Sequence, residues 1–243
     1  MAKIVAILGP SGDGKTTSTV VNPDGTCAFF NPDKAQWKTL YKGMPPNSHY
    51  IINLDDNKDL PFPAGIWTAE RNNYAAPKTM DAVRAVLMSL KARPEIKSVS
   101  LDTINVYLAM KEFNDRKRMD YDQWRDVAND VIEINTLCNN FLREDQIAYI
   151  FGHTMSEDKN DGSTKEVMSV IGKKLRKTPP EAFYSIVINT EVEYGDNGEN
   201  KYYFITRSNH SSTKTPIGMF ADYRIPNSLK LVDDAVRNYY NIK

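Results

Sequence analysis

Near the start of the chain, Gly9-Pro10-Ser11-Gly12-Asp13-Gly14-Lys15-Thr16 fits the spacing G-x-x-x-x-G-K-[ST] at every fixed position. Glycines let such a loop turn tightly and present consecutive backbone N–H groups to phosphate oxygens. The Lys15 ammonium is expected at the β- and γ-phosphates and the Thr16 hydroxyl on Mg²⁺, with Thr17 following as a further contact. ATP with magnesium is therefore the expected ligand, although no base-reading motif separates ATP from GTP. Asp13 is an acid inside an anion-binding loop, and the sequence offers no role for it.

A second group of residues can complete that chemistry. Asp102 closes the run Ser98-Val99-Ser100-Leu101 and can hold magnesium from the end of a neighbouring strand. Asp33 and Glu70 are candidates for positioning an attacking water. For Asp33, turn chemistry after Pro32 is an equal alternative. His153 follows the run 147–151 and can sense a γ-phosphate, or it can be a strand-end histidine bonded to backbone.

Elements must carry these groups to one place. Residues 4–8 are a continuous apolar run bounded by Gly9-Pro10, which suggests a strand buried on both faces. A helix is expected from about residue 14, adding its positive end to the loop. Residues 27–30, 49–54, 96–101 and 147–151 read as further strands. Residues 79–92 and 121–144 carry apolar residues at helical spacing. Residues 154–166 are polar and Gly/Asp/Ser-rich, which suggests a mobile loop. Gly195-Asp196-Asn197-Gly198 is a hairpin turn signal between strands, and residues 229–240 close the chain as a helix. Alternating strands and helices predict an α/β fold: a mostly parallel sheet flanked by helices, with an antiparallel hairpin at one edge. Residues 37–75 read as an inserted irregular segment, and 1–243 as one domain with a C-terminal hairpin plus helix at about 183–241.

The 243 residues carry a formal net charge of zero, so binding of a polyanion needs local clustering of cations. Two clusters stand out. Lys111, Arg116, Lys117 and Arg118 follow the Asp102 strand; Lys165, Lys173, Lys174, Arg176 and Lys177 follow the His153 strand. Both are expected at strand carboxyl ends, where open parallel sheets bind ligands. Interleaved acids such as Glu112, Glu157 and Asp158 weaken the field, and ordinary solvated charge is the alternative. Tyr202-Tyr203-Phe204 reads as edge-strand packing. The two cysteines, Cys27 and Cys138, have no metal-type spacing and read as free thiols. A cytoplasmic protein is expected.

Taken together, the layout resembles the RecA-type core, in particular the small phage-encoded RecA-like recombination ATPases that anneal single strands. The resemblance spans about residues 3–225. Cys27-Ala28-Phe29-Phe30-Asn31-Pro32-Asp33 is similar to the second core strand of bacterial recombinases, which implies that Asp33 activates water, with Asp in place of the usual Glu. Tyr149-Ile150-Phe151-Gly152-His153 looks like the strand whose last polar residue couples nucleotide state to a DNA-binding loop, here 154–170. Val170-Ile171-Gly172-Lys173-Lys174, Arg207 and Lys214 resemble a tail whose basic residues reach a neighbouring subunit's nucleotide. The resemblance implies hydrolysis of ATP, single-stranded DNA as a partner, and a homo-oligomer with nucleotide at its interfaces. A P-loop kinase of a nucleoside or other small molecule, and a nucleotide-dependent switch that recruits a protein, remain open on the same residues.

Overall fold

In the computed structural model, the structure describes residues 1–30, 36–56, 58–114, 121–159, 162–169, 179–196, 198–208 and 210–243. The side chains of residue 64 and of residues 121–128 lie outside this description. Asp33, Arg116, Lys117, Arg118, Lys173, Lys174, Arg176 and Lys177, all singled out above, lie outside the described residues.

The described strands are β1 (Lys3–Leu8), β2 (His49–Asn53), β3 (Tyr74–Ala75), β4 (Ser98–Asp102), β5 (Ile147–Gly152), β6 (Thr154–Asp158), β7 (Thr164–Met168), β8 (Ile186–Glu193), β9 (Lys201–Ile205) and β10 (Arg224–Pro226). The helices are α1 (Trp37–Leu40, a single turn), α2 (Met80–Lys91), α3 (Ile104–Asn114), α4 (Tyr121–Phe141) and α5 (Leu229–Tyr240). Eight strands form one sheet in the order β10-β9-β8-β1-β5-β4-β2-β3. The pairings from β3 across to β8 are all parallel, and β9 runs antiparallel between β8 and β10. This is the expected α/β architecture, with the expected antiparallel edge.

Helices α2, α3 and α4 cover one face, where Val83, Leu87, Leu90, Ile104, Leu108, Val131 and Ile134 meet Leu8, Ile52, Leu101 and Ile150. Thr79 caps α2, its hydroxyl accepting from Ala82 N at 3.2 Å, which is why the apolar period starts cleanly there. On the other face, α5 packs Leu229, Val232 and Val236 with Met44, Phe62 and Trp67 against Ile7, Tyr149, Phe151 and Ile188.

Several expectations are corrected. No long helix follows the glycine-rich loop: only a 3₁₀ turn, Thr17–Thr19, is present. Its face of the sheet is buried instead by α5 and by side chains from the 37–75 span. That span contains β2 and β3, and β2 is buried along its length. Cys27 makes only an isolated bridge to Val21, and Ala28–Phe30 is a 3₁₀ turn rather than a strand. Residues 104–114, left without an element above, form α3. The polar stretch after His153 is not a loop but the antiparallel hairpin β6–β7, a separate two-stranded sheet.

Candidate active site

Register brings the working groups to one edge. Leu8 pairs with Gly152 on one side and with Asn189 on the other, and Asn53 pairs with Asp102. Gly9, His153, Asp102 and the residues just after β2 therefore leave the sheet at the same carboxyl edge. The loop is tied down there: Gly9 N donates to Gly152 O (3.2 Å) and Thr154 N donates to Gly9 O (3.3 Å). A Cβ on Gly9 would lie 1.7 Å from Thr190 Oγ1, so only glycine lets β8 close on the loop. Asp13 finds its role in the same contact, accepting from Thr190 Oγ1 (3.2 Å), while Asn227 Nδ2 donates to Asp13 O (3.1 Å). Burial raises the Asp13 carboxyl above its usual range, with Thr190 and Lys15 opposing. The backbone N–H groups of Gly12, Gly14, Lys15 and Thr16 meet no described backbone acceptor, which leaves them for a ligand's oxygens.

Lys15 is buried, and its ammonium donates to Gly9 O (2.7 Å) and Pro10 O (2.6 Å). Burial pushes the ammonium down to about 8 against the opposing carboxylates of Asp102, Asp13 and Asp55. Asp102, also buried, accepts from Thr103 Oγ1 (2.9 Å), and the Thr16 hydroxyl stands close enough to favour its ionised form. Burial, and behind it the like charge of Asp55, pushes Asp102 up to about 6, although Thr16, Thr103 and Lys15 oppose the rise. The Asp102 strand is not the loop strand's immediate neighbour, as the sequence suggested: β5 lies between them. Thr16 nevertheless reaches Asp102.

Sequence reasoning missed Asp55 and Asn105. Asp55 follows β2, the strand beside β4, and its Oδ1 accepts from Thr103 N (2.9 Å). Its charge acts on Lys15, Asp102 and His153 together. The available signal was an acid just after an apolar run, hidden in the Asp-rich stretch 55–59. Asn105 Oδ1 accepts from His153 N (2.6 Å) and Asn105 Nδ2 donates to Ser169 O (2.5 Å), while Ser169 N donates to His153 O (2.7 Å). Asn105 thus fastens the start of α3 to both His153 and the end of β7. Burial, then the charge of Lys15, lowers the His153 imidazole below its usual range and favours the neutral ring.

Other candidates lie elsewhere. Glu70 is exposed on the turn after Trp67. Lys111 is paired with Asp130 at 2.6 Å. Lys165 stands across the hairpin from Glu157. Arg207 donates to Phe220 O and Ala221 O, and Lys214 is exposed beside β8, its backbone paired with Val187. Cys27 and Cys138 are free thiols. No helix among the described residues is long and apolar enough to cross a membrane.

Thr16 and Asp102 supply hard oxygen donors at one point, with a buried carboxylate that lacks a full counter-charge. That donor set fits Mg²⁺, which is held by one or two protein oxygens plus phosphate and water rather than by a protein cage. No cluster of three His, Cys, Asp or Glu able to hold a metal alone occurs among the described residues.

Asp102→Asn gives a stability test. The folded-state value of about 6 lies above the usual 3.8, so the fold holds this proton more tightly than the unfolded chain. The associated stabilisation is full below about pH 4 and is lost as pH rises through about 6. At pH 7 the ionised carboxylate costs about 3 kcal/mol at 1.36 kcal/mol per unit. Asp102→Asn in chelator at pH 7 is expected to raise Tm by about 5 °C or more, a gain that shrinks at pH 4.5. A lower Tm at pH 7 would contradict this electrostatic picture.

A loop with the full phosphate-binding pattern, on the first strand of a mostly parallel sheet, with a lysine and buried acids converging on it, has the parts of a P-loop nucleotide site. No family model matches the sequence, and no curated protein matches it. Among solved structures, the chain is similar to a KaiC-like protein from the hyperthermophilic archaeon Pyrococcus horikoshii OT3, at 14% identity and a TM-score of 0.46, over 84% of this chain and 77% of that one. A likeness of that extent carries no functional argument.

Proposed function

We propose that this chain binds MgATP at the 9–16 loop and hydrolyses it, and that turnover serves single-stranded DNA annealing in phage recombination. The observation that supports the ATPase most is the meeting of Lys15, Thr16, Asp102, Asp55 and His153 at one sheet edge. Lys15, as a cation, leaves the Gly9 and Pro10 carbonyls for the β- and γ-phosphate oxygens and offsets charge that builds there. Thr16 and Asp102 would hold magnesium arriving with the nucleotide, which would supply positive charge against the phosphates. Thr16 and Asp102 orient that end of the phosphate chain. Asp55 takes the water-activating role assigned above to Asp33: it stands after the strand next to β4 and its charge reaches Lys15 and Asp102. Neutral His153 can bond a γ-phosphate oxygen or the attacking water, and Asn105 transmits its position to the β6–β7 hairpin.

The DNA role rests on the resemblance and on that hairpin. Lys165 and the basic residues of the 116–118 and 173–177 segments are the proposed phosphate contacts. Arg207 and Lys214 are proposed to complete a neighbouring copy's site in a homo-oligomer, in the cytoplasm of a bacterial host. The test is ATP hydrolysis with and without single-stranded DNA at low and moderate salt. Stimulation that weakens with salt is expected, because phosphate contacts release counterions. Hydrolysis indifferent to DNA would remove the recombination role and favour a small-molecule kinase, recognised by its need for an acceptor, or a nucleotide switch.

A further inference from the structure

The site has two poles. Asp102, Asp55 and His153 lie on the β5-β4-β2 side of the loop strand, so the terminal phosphate belongs there. The nucleoside must then leave the loop on the β8-β9-β10 side. A cavity of about 580 Å³ opens on that side, floored by Gly12, Gly14 and Thr17 of the loop. Its volume falls in the range of small-molecule sites.

The cavity carries two aromatic rings that the core does not use. Phe30 is 69% exposed and Tyr202 41% exposed, and both line it. Tyr202 belongs to the triplet read from sequence as edge packing. The triplet divides: Phe204 is buried in the core, Tyr203 lies under the Arg224 guanidinium at 3.6 Å, and Tyr202 faces the loop. A Cβ on Gly14, whose φ is +77°, would sit 3.2 Å from Tyr202 Cδ1. The absent side chain lets the Tyr202 ring lie against the loop backbone, where a phosphate chain would pass into its nucleoside. Asn227, buried at the same wall, spends its Nδ2 on Asp13 O, while its Oδ1 has no partner among the described residues. That oxygen is an acceptor for a ring or sugar donor after a small side-chain movement.

We infer that this cavity is the nucleoside subsite, in which the base of a nucleoside triphosphate stacks on Tyr202 and Phe30. The inference rests on the phosphate-loop function proposed above. It predicts that the aromatic pair contributes to affinity for the nucleoside and nothing to affinity for the phosphates.

The experiment compares MgATP with magnesium tripolyphosphate, which has the phosphate chain and no nucleoside, by equilibrium titration. The wild type is expected to bind both, MgATP more tightly. Tyr202→Ala and Phe30→Ala are each expected to weaken MgATP by about tenfold or more, the usual scale for losing an aromatic–base stack. Tripolyphosphate affinity should not change, and Tyr202→Phe should restore MgATP binding. Unchanged tripolyphosphate binding also shows that the variants are folded. If both alanine variants bind MgATP as the wild type does, or if the wild type binds MgATP no better than tripolyphosphate, the subsite is wrong while the loop function stands. If the wild type binds neither ligand, the loop function itself fails, and the subsite fails with it.

Discussion

Asp55→Asn is expected to slow ATP hydrolysis by about 10²- to 10⁴-fold, the usual contribution of a general base, while MgATP affinity stays within a few-fold of wild type. The substitution is nearly isosteric. Asn Oδ1 can still accept from Thr103 N, the contact that Asp55 makes at 2.9 Å, so the turn after β2 keeps its shape. What disappears is the charge. Removing it relieves Asp102 of a like-charged neighbour, so magnesium binding is not expected to suffer. Single-turnover hydrolysis on pre-bound ATP separates the two effects. A single-turnover rate within about twofold of wild type would take water activation away from Asp55 and return it to Asp33 or Glu70.

Lys15→Ala is the second large effect, and it falls on binding. The Lys15 ammonium is buried in the loop, bonded to the Gly9 and Pro10 carbonyls, and in the proposed function it turns to two phosphates. Losing charge-assisted hydrogen bonds of about 1.5–3 kcal/mol each is expected to weaken MgATP by about 10- to 100-fold or more and to abolish turnover. The wild type adds a pH signature. Burial holds this ammonium down to about 8, and phosphate binds its protonated form. Wild-type affinity should therefore be flat below about pH 8 and fall as pH rises through that value. Calorimetric titrations between pH 7 and 9.5 test this, and the alanine variant should lack the decline. An unchanged affinity in Lys15→Ala would mean that the loop does not hold the phosphates.

How far the sequence reveals this arrangement depends on where each residue's environment is local. The loop and β1 were legible because an all-apolar run ending in patterned glycines admits few other structures. Helix α2 was legible from its apolar period and the Thr79 cap, and the β8–β9 turn from its glycines. Residues 27–30 misled because a short apolar run does not distinguish a strand from a 3₁₀ turn packed under aromatic neighbours. Strand β2 was legible over 49–54, but its burial on both faces was not, because His49 is a polar residue in a fully buried strand. Its ring nitrogens are bonded by Ser98 Oγ (2.9 Å) and Ser100 Oγ (3.2 Å), and only long-range pairing supplies those partners. Burial pushes that imidazole down to about 3, so it is a neutral core residue.

The β6–β7 hairpin went unseen because its residues are largely polar and no apolar face alternates along it. Asp33 is a candidate for water activation if residues 27–30 form the second core strand, and it lies outside the described residues. Once β2 takes that place in the sheet, Asp55 is the acid beside Asp102. Asn105 could not be read at all, since its partners His153 and Ser169 are distant in sequence and lie on other elements.

The most direct measurement is an equilibrium titration of purified wild-type protein and Lys15→Ala with MgATP at pH 7, with phosphate release followed in the same samples. Saturable binding and turnover in the wild type, with affinity weakened by about 10- to 100-fold or more and turnover lost in Lys15→Ala, is the expected result. Turnover that survives in Lys15→Ala, or a wild type that binds no MgATP, would contradict a nucleotide site at residues 9–16.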